Sequence, residues 1–493
     1  MSSLLLQTLL GEGLESFEDS DGPAVVATPE NTPAPTPSID VTICEEEIAV
    51  VEAAEEAARA EVVLVDSAED LAKTDALADA QTVLVTETSK VVASMESFIG
   101  SPMSKQDAMA LQSRVIEATK GQYSQQHIVG SLEAFGTDIT TDDALNAGLE
   151  GLGDFLKEAR NKLSGIVQVL RAKVGGFFKD IGVNFDKVAK RSEAIQRLAK
   201  NTSGESNSSA IQLPLDTAWH LVKDGKVVTN LAKEVTDLTK LAESVMRDNN
   251  AEMSADRKKF IELVSPLATA NLDEAQKIAK KISEWKLPKP SFAKTKIQTS
   301  ARTVDLYRSD VLPGDEALFV TMPQDISVAS DNVSKRLENI STTFFALDVS
   351  LCDVAKRPNK LDVAVDTLKP AEIVKITEAV SAILGDIKTY SKTWGAWDEA
   401  NNELDRLMNI LVNVEWNDDE TYEGSTAYAN GYTVYTSKLN YRVADAVWYI
   451  NASYGYLSTY PVIHLSKKLI ILMNRILEVC ERSLATYSDN NLK

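Results

Sequence analysis

The sequence predicts an all-α protein made mostly of long amphipathic helices, with one small β-hairpin and an acidic, weakly structured N-terminal segment. Three observations lead there. From about Thr141 onward apolar residues recur at helical spacing, as in Leu163, Ile166, Val167 and Leu170. One stretch departs from that period: Val304 and Leu306 precede a Pro313-Gly314-Asp315 turn, and Ala317-Leu318-Phe319-Val320 follow it, which is hairpin chemistry. Charge is also unevenly divided, because residues 1–133 hold 24 acidic and 6 basic side chains, a net of −18 out of −22 for all 493 residues.

Taken in order, the leader opens with a segment, 23–37, that holds five of the 15 prolines and should run as an extended linker. The Glu- and Ala-rich stretch 44–61 reads as an acidic helix with too little apolar surface to anchor a core. Short helices opened by serine are expected over 67–80 and 104–119, so the leader is pictured as loosely tethered helices. In the body, further helices are expected over 185–198, 226–248, 254–263, 272–285, 327–345, 370–390, 397–411, 439–454 and 462–484. The resulting organisation is an acidic propeptide at 1–133, a helical lobe at 134–300, a β-hairpin insertion at 301–323 and a second helical lobe at 324–493.

Composition excludes several functions. With 44% hydrophobic and 25% charged residues the chain as a whole is globular, not disordered. Cys44, Cys352 and Cys480 are odd in number and far apart, so reduced thiols are expected and no disulfide framework or zinc site. Leu4-Leu5-Leu6 and Leu9-Leu10 lack the basic flank of a signal peptide, and the aliphatic run 469–473 is far short of the roughly 20 residues that span a bilayer. His127, His220 and His464 have no partners at metal-ligand spacing. Gly148, Gly151 and Gly153 follow no strand, and the acidic cluster 417–420 lacks the glycine and spaced ligands of a calcium loop. No catalytic set, metal or cofactor is expected.

The recurring feature is a short motif. The first three of the 12 phenylalanines are Phe17, Phe98 and Phe135, and each closes the pattern small-x-Glu-small-Phe. The copies are Gly13-Leu14-Glu15-Ser16, Ser94-Met95-Glu96-Ser97 and Ser131-Leu132-Glu133-Ala134, with a shorter version at Gly148-Leu149-Glu150-Gly151. Intervals of 81 and 37 residues between the phenylalanines exclude a fold repeat. Five residues with no helical or strand periodicity cannot fold alone, and a motif of this kind is suited to be read by a protease, which needs extended, accessible backbone. The Glu offers a charge to a basic pocket, and the small flanking residues let the scissile carbonyl be approached.

These motifs resemble the maturation sites of prohead proteases in large tailed phages, and the layout of acidic leader plus helical body is similar to the internal head proteins of phiKZ-like giant phages. The resemblance implies a protein packaged inside the capsid after assembly in the host cytoplasm, and a propeptide cleaved after Glu15, Glu96, Glu133 and Glu150. It implies a prohead protease, capsid or scaffold proteins and packaged DNA as partners.

Two further features leave alternatives open. Residues 151–200 carry 11 basic and 5 acidic side chains, and Lys157, Arg160, Arg171, Lys173, Lys179, Lys187, Lys190 and Arg191 are either an ordinary helix exterior or weak, non-specific DNA contacts that the acidic leader masks. Nine of the 13 tyrosines fall between Tyr422 and Tyr460, as a wet-edged core or as a contact surface. The functional expectation is a virion structural protein trimmed during head maturation. Its rival is a scaffold or adaptor whose acidic leader is never cut and recruits partners.

Overall fold

The computed structural model describes residues 45–96, 105–120, 141–295, 304–323, 347–355, 361–413 and 439–488, with isolated positions between 333 and 340. The prolines of 23–37, the helix expected at 327–345 and the acidic cluster 417–420 lie outside or almost wholly outside them.

Helix α1, Glu45–Glu96, is one continuous element, not two short helices. Its buried positions Val50, Ala57, Leu64, Leu71 and Ala78 recur every seven residues, the period that keeps one seam against a partner helix. That partner is α3, Thr141–Asn201, and the short α2, Lys105–Ala118, lies between them in sequence. The pair is antiparallel: Lys173 reaches Thr74, and Gln81 reaches the carbonyl of Ala159. At 1.5 Å per residue the two helices are about 80 and 90 Å long. Along α3 the buried side chains include Val174, Phe177, Phe178, Ile181, Phe185, Val188 and Ile195, and α3 packs on the later helix Pro370–Asn413 as well as on α1, with Phe178 edge-on to Tyr390. Beyond the seam, Val91 and Met95 of α1, Leu111 and Val115 of α2 and Leu152 of α3 form a separate small cluster.

The body continues with β1 (Ala210–Gln212), α4 (Leu215–His220), and the strand pair β2 (Val222–Lys223) and β3 (Lys226–Val227). Residues 226–227 are therefore strand where a helix start was expected. The β2–β3 turn is Asp224-Gly225, both at positive φ, as a two-residue hairpin requires. Helices α5 (Leu231–Glu243), α6 (Asn249–Val264) and α7 (Leu272–Ser283) follow, with a π-helical turn at Ser244–Asp248. The start of α7 carries a full capping box between Asn271 and Glu274.

The expected hairpin is present as β5 (Val304–Arg308) and β6 (Glu316–Pro323), but it belongs to a four-stranded antiparallel sheet completed by β4 (Ala293–Thr295) and β7 (Asp348–Asp353) in the order β4-β5-β6-β7. Its turn is tied down: the Asp315 carboxylate accepts from the backbone N–H groups of Asp224 and Gly225, while Gly314 and Asp315 donate to the carbonyl of Val222. Strand β8 (Ala364–Asp366) pairs back onto β1.

Helix α8 is Pro370–Asn413 and α9 is Leu439–Ser488, each single where two helices were expected. Helix α9 passes through Pro461, which cannot donate to the carbonyl of Leu457. The side chain of Asn249 approaches that carbonyl at 3.5 Å, and the Tyr390 hydroxyl donates to the carbonyl of Ser458 at 3.2 Å, so side chains of α6 and α8 serve the turn that proline disturbs. From Val462 to Cys480 α9 is apolar and buried on nearly every side, which makes it the central helix.

One contiguous cluster of buried side chains includes Leu64 and Leu71 of α1, Phe177 of α3, Phe260 of α6, Val320 of β6, Ile383 of α8 and Ile470 of α9. Described residues of both 134–300 and 324–493 contribute to this core, and so do Val50, Ala57, Ala60, Leu64, Ala68 and Leu71 from the stretch 45–71. Alanine on α1 buries little surface per residue, so the cluster that Ala57, Ala60 and Leu64 join draws most of its bulk from other elements.

Candidate functional site

The processing motifs fall at distinct places relative to these helices. Gly13, Glu15 and Ser16 lie outside the described residues, as do Ser97 and Ser131, Glu133 and Ala134. Ser94 and Glu96 occupy the last turn of α1, and Met95 between them is buried in the small cluster with α2 and α3. Gly148, Glu150 and Gly151 lie within α3, seven or more residues past its start. There, as at Ser94–Glu96, the backbone is helical, and a protease cleft that takes extended chain would require local unfolding.

Helix α1 is bound through polar contacts as well as its apolar seam. The Glu61 carboxylate accepts from the Asn474 amide at 2.8 Å and from the Arg475 guanidinium at 3.3 Å, and the same amide nitrogen reaches the carbonyl of Ala57. Arg475 also pairs with Asp216 of α4 at 3.1 Å. Burial raises the Glu61 carboxyl above its ordinary range, against the opposing pull of Arg475 and Asn474. Further along, Lys467 pairs with Glu69, and Lys173 pairs with Asp70 at 2.7 Å.

Next to these contacts Asp75 and Asp79 face Asp348 of β7 and the α9 residues Tyr456 and Tyr460. Burial, then the neighbouring carboxylates Asp75 and Asp348, pushes Asp79 up to about 7; Asp75 is also raised, chiefly by burial. Tyr456 and Tyr460 stack with ring centroids 4.2 Å apart. The tyrosine-rich region is therefore core at its described end: Tyr454 is fully buried, with its hydroxyl between Trp285 and Asp256. Of the other tyrosines in that region, 422, 428, 432 and 435 lie outside the described residues.

The candidate DNA contacts do not form one free surface. Arg191 is buried, its guanidinium meeting Glu481 of α9 at 2.7 and 2.9 Å and the side chain and carbonyl of Asn474. It is a structural arginine, because its partners sit on the central helix, and Lys173 is engaged with α1. Lys179 and Lys190 are exposed, Lys187 and Arg171 half-buried, and the side chains of Lys157 and Arg160 lie outside the described residues. The outer face of α3 also carries Asp186, paired with Lys388, and Glu193, paired with Arg197, so its charge is mixed.

Among the described residues no group of three His, Cys, Asp or Glu side chains could hold a metal ion. A groove of about 630 Å³ between α6 and α8 is lined by Arg257, Lys258, Glu262, Glu399 and Glu403, charges of both signs.

The model of the phiKZ-like phage internal head proteins matches residues 45–482. The chain belongs to that family. The match begins on the first residue of α1 and ends inside α9, so the matched stretch of this internal head protein takes in the α1–α3 pair, the sheet and most of the central helix. No curated protein and no solved structure matches the chain. Membership makes it a structural component of the phage head, held inside the capsid. No described helix is long and apolar enough to cross a membrane.

Proposed function

We propose that this internal head protein enters the prohead with an acidic N-terminal segment that a prohead protease trims after small-x-Glu motifs as the head matures. The observation that carries this reading is the placement of the motifs. Glu96 is the last residue of α1 and Glu133 falls between α2 and α3, so cuts after these two fall at the end of a helix or between helices, and Glu15 lies 30 residues ahead of the start of α1. A protease reading extended backbone acts at such boundaries and leaves the elements intact.

The test is mass spectrometry of the N-terminus of the protein from mature particles. A start at Ala134, Ser97 or Ser16 agrees with processing, and Glu133→Gln, which removes charge with little change of shape, should block or slow cutting at that bond. An intact Met1 or Ser2 instead makes the protein an uncut scaffold or adaptor. Contact with packaged DNA is part of the proposal only through exposed lysines such as Lys179 and Lys190; binding should be sequence-independent, with a Kd on the order of 10⁻⁴ to 10⁻⁶ M, and should weaken steeply with salt.

A further inference from the structure

The proposed cuts raise a question that the packing answers: what becomes of α1 when the chain is severed between it and α3? We propose that α1 is not shed with the propeptide but stays in its groove on the body as a non-covalently held second chain. This rests on the processing reading for its occurrence in the particle, while the retention itself follows from the contacts of α1.

Those contacts are of the kind that persist without a covalent link. Leu64, Ala57 and Ala60 are completely buried and Leu71 nearly so, all within the main core cluster. Removing α1 would uncover buried apolar surface on α3 and α9, the helices it packs against within the main core cluster. It would also strip partners from groups with little access to water: Asn474 would lose Ala57 and Glu61, and Arg475 would lose Glu61. The contacts are spread from Val50 to Gln81, along more than half of the helix, and involve α3, α9 and, through Arg475, α4. By contrast, among the described residues α2 shares only the small cluster of Val91, Met95, Leu111, Val115, Ala118 and Leu152. Cuts after Glu96 and Glu133 would therefore free the piece that carries α2 and leave α1 behind.

Retention also changes what trimming does to charge. Helix α1 carries 14 acidic and 3 basic residues, a net of −11 out of the −18 in residues 1–133. That acidity remains with the body, so trimming cannot by itself uncover the basic segment of α3 to DNA.

The experiment uses the full chain with a recognition site for an unrelated, sequence-specific protease inserted between residues 121 and 133. After complete cutting, the protein is passed over a gel-filtration column at micromolar and then at nanomolar concentration, and the peaks are identified by mass spectrometry. The expected result is one peak at the uncut volume containing both pieces in equal amounts, with unchanged far-UV circular dichroism. Separate elution of the N-terminal piece, or precipitation of the remainder once cut, overturns the proposal. The processing reading is judged independently, by the N-terminus found in particles, so either can fail without the other.

Discussion

Leu64→Ala is the sharpest test of whether α1 belongs to the folded body. Leu64 is 0% exposed and lies in the main core cluster midway along the Val50–Ala78 seam. Truncating such a side chain removes its transfer free energy and leaves a cavity, together about 2–5 kcal/mol. Leu77→Ala on the same helix is the control, since Leu77 is 61% exposed and alanine is at least as good a helix former; its effect should stay within about 0.5 kcal/mol. The assay is urea unfolding followed by circular dichroism, where a loss of about 3 kcal/mol moves the midpoint by about 1 M at a slope near 3 kcal/mol per molar. If the two variants unfold at the same urea concentration as the parent, α1 does not dock as described, and the retained-helix proposal falls with it.

Other outcomes follow from individual sites. Arg191→Met should destabilise by about 3–5 kcal/mol, because Glu481 would be left largely buried without its partner, and a double variant with Glu481→Leu should recover much of that loss in the same unfolding assay. Asp79 has a folded pKa of about 7 against 3.8 unfolded, so its neutral form favours the fold: that contribution is full below about pH 3.8 and fades as pH rises through 7. Asp79→Asn should therefore raise thermal stability at pH 8 and change little at pH 4; the residue is exposed, so solvent screening should keep the gain small. Cys352 is exposed, whereas Cys480 is fully buried with its thiol pushed up by burial. A thiol reagent should label Cys352 in the native protein and Cys480 only on unfolding, as read by peptide mass spectrometry.

The sequence by itself determined the helical class, the hairpin and the places of the motifs. These depend on local information: apolar residues every three to four positions in α3, the Pro313-Gly314-Asp315 turn, and the pairing of each early phenylalanine with a small-x-Glu tetrapeptide. It misjudged α1 because an alanine-rich, acidic stretch shows little apolar surface of its own. Only the tertiary structure supplies the rest of that core, the buried side chains of α3 and α9 that share one cluster with Ala57, Ala60 and Leu64. Pro461 was equally opaque, since a proline ends a helix unless donors from elsewhere serve the disturbed turn, and Asn249 and Tyr390 come from segments 212 and 71 residues earlier in the chain. Arg191 read as surface charge for the same reason: Glu481, its partner, is 290 residues away. Periodicity reports which face of a helix is apolar, but what covers that face, and which charges are paired beneath it, is decided by residues that meet only when the chain folds.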